Sequence, residues 1–203
     1  MLRDAPKDEA SSTLEAPATL RDQRLWILSA GSALYVATQV SLTGFIVLFL
    51  HDRRSVSIAA AAAALAAAQA VAIALRIAVG RWSDRMQARL GPLRRLGFAI
   101  SAAVAVSAVL VSAPLALLVP SLVASAALAM SWNALAFTAA AELAGRARSG
   151  TALGFQQTWL SIAGTVAPIA FAAIVESASW RIGFALAVPV GGAVVLASLE
   201  DSR

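Results

Sequence analysis

The residues of this sequence best suited to chemistry are few, and most are basic or amide side chains set among apolar neighbours. The stretch Gly80 to Arg95, GRWSDRMQARLGPLRR, gathers Arg81, Arg85, Arg89, Arg94 and Arg95 around a single acid, Asp84. A second acid, Glu142, is followed by Arg146 and Arg148. Tyr35, Gln39, Gln69, Trp132, Asn133 and Gln157 lie within apolar runs, as does the cation Arg76. Groups of this kind bind by hydrogen bonding and charge, and they do not assemble a hydrolytic centre. The one histidine, His51, cannot build a zinc site alone. There is no cysteine for a thiolate ligand or a disulfide. The sequence contains no HExxH and no pair of aspartates inside an apolar run. Neither an enzyme nor a metal or organic cofactor is expected.

The elements that must position these groups are long apolar runs. Of 203 residues, 60% are hydrophobic and only 13% charged, with a mean hydropathy of +0.78. A soluble domain carries about 25% charge, so the expected solvent is a lipid bilayer. A net charge of +5 could suit nucleic acid. The arginines, however, cluster at the ends of apolar runs and leave no soluble basic face, so no nucleic-acid partner is expected. The runs fall at Leu25–Leu50, Ser57–Val79, Leu96–Val111, Leu115–Ala141, Ala152–Val175 and Ile182–Leu199. Since about 20 apolar residues cross the hydrocarbon and backbone in lipid must satisfy itself, these read as six helices. The second, which includes AAAAAALAAAQA, is expected to pack inside the bundle, because small residues let backbones approach. Pro168 and Pro189 are expected to kink their helices. Residues 1–24 read as a flexible cytoplasmic leader without the apolar core and cleavage site of a signal peptide. Residues 25–200 form the bundle, and residues 201–203 a tail.

Charge sets the expected orientation. With the leader inside, twelve of the sixteen basic residues fall in inner segments and three, Arg53, Arg54 and Arg181, in outer loops. This positive-inside bias predicts that both termini are cytoplasmic. Polar residues within spans are costly and tend to face partners or water. At about 3.6 residues per turn, Ser32, Tyr35, Gln39 and Thr43 share a stripe of the first helix. Gln69, Arg76, Gly80 and Ser83 share one on the second. Ser121, Ser125 and Trp132 align on the fourth, with Asn133 beside them. Gly154, Gln157, Ser161, Gly164 and Pro168 align on the fifth. The simplest role for the amides is interhelical hydrogen bonding, worth ~0.6 kcal/mol each. Arg76 either snorkels to the headgroups or faces a cavity, where it would favour an anionic solute.

The order of residues in the charged loops resembles the signature loop of the major facilitator superfamily: Gly80, Asp84, Arg85, Gly91, Arg94 and Arg95. The spacing from Arg85 to Gly91 is longer than in the tightest versions of that loop. Met130 to Thr158, MSWNALAFTAAAELAGRARSGTALGFQQT, is similar to the family's tenth helix, the inner loop and the start of the eleventh. SWRIGFAL, Ser179 to Leu186, resembles the start of its last helix, and LRDQRLW, Leu20 to Trp26, the end of its central cytoplasmic loop. The resemblance spans nearly the whole chain but only the second half of a twelve-helix transporter.

It implies an all-α integral membrane fold of six transmembrane helices in two inverted three-helix repeats. The implied function is that of half a secondary active transporter, moving a small solute across the cytoplasmic membrane by alternating access. The alternative is a truncated remnant or membrane assembly partner without transport of its own. By resemblance, the first and fourth helices line a central cavity, and the second and fifth meet a missing six-helix half or a second copy of the chain. The candidate cavity residues are then Tyr35, Gln39, Arg76, Trp132, Asn133 and Gln157. The candidate conformational latch is Gly80, Asp84, Arg85, Gly91, Arg94, Arg95, Glu142, Arg146 and Arg148. Gly80 is expected to end the second helix. Asp84, free to sit at a helix N-terminus, is expected to lack a partner within its own chain.

Overall fold

In the computed structural model, residues 21–186 and 190–200 are described, and every regular element among them is helical. Helix α1 spans Gln23–Arg54, α2 Ile58–Met86 and α3 Leu90–Val109, with a 3-10 turn at Leu110–Ser112 extending α3. Next come α4 (Leu115–Ala129), α5 (Asn133–Ala144), a 3-10 turn at Arg146–Arg148, and α6 (Ser149–Ser177). The described chain finishes with α7 (Trp180–Leu186) and α8 (Val190–Glu200). The ends follow ordinary capping chemistry. The Asp22 carboxylate accepts from the Arg24 N–H at 2.9 Å, and Ser57 Oγ accepts from the Ala60 N–H at 3.3 Å, meeting donors that a helix start leaves free. Ser55 (φ 55°) and Gln87 (φ 46°) close α1 and α2 in the left-handed conformation.

Among the described residues, five stretches are long and apolar enough to cross a membrane: Gln23–Arg54, Ile58–Met86, Leu90–Ser112, Leu115–Ala144 and Arg146–Ser177. The sixth expected run is represented by α7 and α8, either side of residues 187–189, which lie outside the described residues together with Pro189 and its expected kink. Residues 1–20 of the leader and the tail 201–203 also lie outside them.

Packing relates the first three spans to the last three. The first span lies on the fifth and sixth; the fourth, made of α4 and α5, lies on the second and third. The third and sixth pack on each other, as do the first and fourth. Exchanging the two sets of three turns each contact into another. This is the packing expected of inverted repeats, and it is present although the two sets share no persuasive sequence identity.

Two expectations about elements are corrected. The alanine-rich helix is not interior. Of α2 only Ala61, Ala68, Ala72, Val79 and, near its end, Ser83 are buried, while most of the other alanines face outward. In its most apolar window 17% of α2 is buried, and 11% of the fifth span, against 39–50% for the other three. A helix of small side chains buries only the faces that neighbours cover, and here α4 and, less extensively, α1 cover part of α2. Gly80 does not end α2 either, since the helix continues to Met86.

Candidate functional site

Polar side chains collect where the fourth span breaks. Met130 to Trp132 leave the helix between α4 and α5, which strips carbonyls of their intrahelical partners, a cost that lipid makes severe. Arg76, reaching from α2, donates Nε–H to the freed Met130 carbonyl at 2.8 Å. Ser131 Oγ donates to the Leu128 carbonyl at 2.7 Å. The rest of the Arg76 guanidinium has no partner among the described residues, and the residue is exposed. Trp132 is fully buried and donates its indole N–H to Gln39 Oε1 at 3.2 Å. Asn133 Oδ1 is buried without a hydrogen bond.

Tyr35 meets Trp132 edge-on at 5.7 Å between ring centroids. Its hydroxyl donates to the Leu93 carbonyl at 3.4 Å. The ring occupies space that only glycine leaves. A Cβ on Gly97 would lie 2.0 Å from the Tyr35 hydroxyl, and one on Gly192 2.8 Å from its ring. Tyr35 therefore joins α1, α3 and α8 from within, while Gln39 stays half-buried beside the break.

Of the six candidates, five surround or support this break. Gln157 does not: it is exposed on α6, and its amide bonds within its own helix, to Ser161 Oγ at 3.4 Å. Its neighbour Gln156, not singled out in the sequence, is the buried amide. Gln156 donates to Ser32 Oγ at 3.1 Å and to the Ala136 carbonyl at 3.4 Å, and its Oε1 has no partner. The readable signal was its place in the stripe Ala152, Gln156, Leu160, the buried face of α6.

The second cluster lies at the loop joining α2 to α3. Because α2 runs past Gly80, Asp84 occupies the last turn of a helix rather than a first one, so the dipole there opposes its charge. Arg89, just before α3, and Glu142, in the last turn of α5, also sit at unfavourable helix ends. The three resolve this together. Arg89 Nη1 is 2.6 Å from Asp84 Oδ1, and Arg89 Nε is 3.0 Å from Glu142 Oε1. Arg89 Nη1 also donates to Ser83 Oγ at 2.9 Å, and that hydroxyl donates to the Ala88 carbonyl at 2.6 Å. The bonds to Asp84 and then to Glu142 raise the Arg89 pKa above its already high ordinary value. The expectation that Asp84 lacks a partner in its own chain is thus overturned. Arg89, which the sequence offered only as one of several inner charges, holds the cluster together.

The other latch candidates lie around it. Arg85, Arg95 and Arg146 are exposed, Gly91 and Arg94 stand in the first turns of α3, and Arg148 is half-buried in the turn before α6. At the opposite end of the bundle, Arg54 donates to the carbonyls of Val111 and Ala113. Arg181 donates to those of Ala108 and Val109, both at 3.3 Å. Two of the three arginines expected in outer loops are thus spent on the carbonyl end of the third span, where a cation is favoured.

Known proteins resemble this chain in sequence. The sequence pattern of the Major Facilitator Superfamily matches residues 2–168. Two uncharacterised MFS-type transporters from two strains of Mycobacterium tuberculosis are each 30% identical over 162 residues, which is 80% of this chain. The chain spans 36% of the length of each. Proteins of this family move small solutes within a lipid bilayer and are generally not enzymes. With its helices paired as two sets of three and the family pattern matched over most of its length, the chain belongs to the major facilitator superfamily.

Proposed function

We propose that the chain acts as the carboxyl-terminal half of a secondary active transporter that carries a small anionic solute across the cytoplasmic membrane by alternating access. The observation that carries this reading is Arg76. A guanidinium that gives one N–H to a broken helix and keeps its remaining donors toward the exposed side of α2 is a fork for a carboxylate, phosphate or sulfonate. Trp132 and Gln39 fix the shape of the break beside it, and Asn133 supplies a further amide. The least-buried spans, the second and fifth, are the surfaces on which a second six-helix bundle would pack. Rocking of two bundles about a site between them is how such folds alternate access. The Asp84–Arg89–Glu142 cluster, with Arg85, Arg94, Arg95, Arg146 and Arg148 around it, is the part proposed to latch one state. The distribution of arginine supports a cytoplasmic location for both termini.

The test is transport of labelled organic and inorganic anions by vesicles that contain this chain together with its amino-terminal half. Arg76→Ala should abolish anion transport, and Arg76→Lys should retain a measurable fraction. Equal activity of both variants and wild type would leave Arg76 a helix-break and headgroup ligand only. A second reading is a remnant or assembly partner without transport of its own. That reading predicts no transport by vesicles holding this chain alone and none when the other half is supplied.

A further inference from the structure

The end of α2 has a second charged face that the Asp84–Arg89–Glu142 cluster does not use. At about 3.6 residues per turn, Gln69, Arg76, Gly80 and Asp84 follow one side of α2. Trp82 and Arg85 stand roughly half a turn away, on the other side. Arg95, from the second turn of α3, sets its guanidinium over the Trp82 ring, 5.8 Å from the centroid. Such stacking orients a cation without neutralising it. Arg85 and Arg95 are exposed and Trp82 half-buried. Among the described residues no carboxylate pairs with either arginine, because both ion pairs there belong to Arg89. Phe98, three residues beyond Arg95 and so on the same face of α3, is 47% exposed on the side of the span's apolar body. Beyond the loop, α2 and α3 touch each other little, and exposed apolar side chains of both, Ile77 on α2 and Phe98 on α3, continue away from the charges.

Two uncompensated guanidinium groups and an indole at a membrane edge, with exposed apolar side chains beside them, match a phosphodiester carried on two acyl chains. We propose that Trp82, Arg85 and Arg95 form a site for one anionic phospholipid, with the phosphodiester on the arginines and the acyl chains between α2 and α3. A bias of charge toward one side of a membrane needs only the number of basic residues near it. A headgroup site needs the fixed geometry that the Arg95–Trp82 stack supplies, and it holds whichever leaflet this end faces.

The full chain, reconstituted in phosphatidylcholine vesicles, is tested with brominated phosphatidylglycerol and brominated phosphatidylcholine as quenchers. The signal from Trp82 is the difference between wild type and Trp82→Phe. Half-maximal quenching should need roughly tenfold less phosphatidylglycerol than phosphatidylcholine, and Arg85→Gln with Arg95→Gln should remove that preference. The two single variants give the same reading if the double variant fails to accumulate, each lowering the preference several-fold. Equal quenching by the two lipids would overturn the proposal, as would a preference that survives these substitutions. Displacement by excess inorganic phosphate would also overturn it, since a free-anion site would then replace the lipid site.

Discussion

Gln156 and Gln157 are adjacent, chemically identical and differently placed, which makes them a sensitive probe of side-chain role. Gln156 is fully buried and bonded to α1 and α5, whereas Gln157 is exposed. Gln156→Ala should cost about 1–3 kcal/mol through lost bonds and the unsatisfied partners left behind. Gln157→Ala should stay within about 0.5 kcal/mol, as surface changes usually do. Thermal unfolding of the purified chain in detergent would rank them, and the reverse order would contradict the burial of Gln156. Arg89 is the second probe. Arg89→Ala leaves Asp84 and Glu142 at helix ends that oppose their charge, and Asp84→Asn should relieve part of that loss. Exposed ion pairs are worth only about 0.2–1 kcal/mol each, so the expected effect is small but coupled. A cation whose folded pKa is raised contributes fully below its unfolded pKa and is lost only as pH rises through the folded value. For Arg89 that window lies above the working range, so deprotonation of Arg89 should not alter the penalty of Arg89→Ala between neutral pH and pH ~10.

Among the elements, close approach is concentrated at one place. Tyr35 of α1 fills the gaps left by Gly97 of α3 and Gly192 of α8. A Cβ at Gly97 would meet both the hydroxyl and the ring, with Cζ at 2.6 Å, and a stiff ring in a packed interior has no easy way to yield. Gly97→Ala should therefore lower thermal stability by about 1–3 kcal/mol, the usual cost of overpacking. Gly164→Ala is the control. A Cβ there meets nothing within 4 Å, and replacing a glycine within a helix gains about 0.5–1 kcal/mol. Similar losses for both would mean that the Tyr35 contact is not a joint of the fold.

At the scale of the molecule the open question is what covers the second and fifth spans. Gly80 on α2 and Gly150 on α6 both have open space where a Cβ would stand, so both accept cysteine within this chain. If another six-helix bundle packs there, Gly80→Ala should leave the isolated chain as stable or more so, yet impair transport by the assembled protein. Gly80→Cys and Gly150→Cys on differently tagged copies would report a dimer of this chain by forming inter-chain cross-links in membranes. Their absence, with transport restored only by an amino-terminal half, would exclude the dimer. Reporter fusions after His51, Ala113 and Ser177 should read outside, and fusions after Arg89 and Gly145 inside. The opposite pattern would reverse the orientation.

Much of this was legible in the order of residues, because a bilayer narrows the choices. Long apolar runs must be helices there, arginine gathers at their ends, and the pattern Gly80, Asp84, Arg85, Gly91, Arg94, Arg95 carries the family's signature. The sequence alone thus determined the helical membrane class, the approximate spans and the family. Other features depend on contacts between residues far apart in the chain. Whether the α2 alanines lie inside was decided by α4 and α1 covering part of the helix, with most of its other alanines left exposed among the described residues. That α2 runs past Gly80, and that Asp84 pairs with Arg89, depended on how α2, α3 and α5 meet. Gln156 rather than Gln157 turns inward because one residue is about 100° of rotation on a helix, and only the neighbouring helices define which direction is inward. The break at Met130 holds because Arg76, fifty-four residues earlier, answers its carbonyl, a pairing that no local pattern encodes.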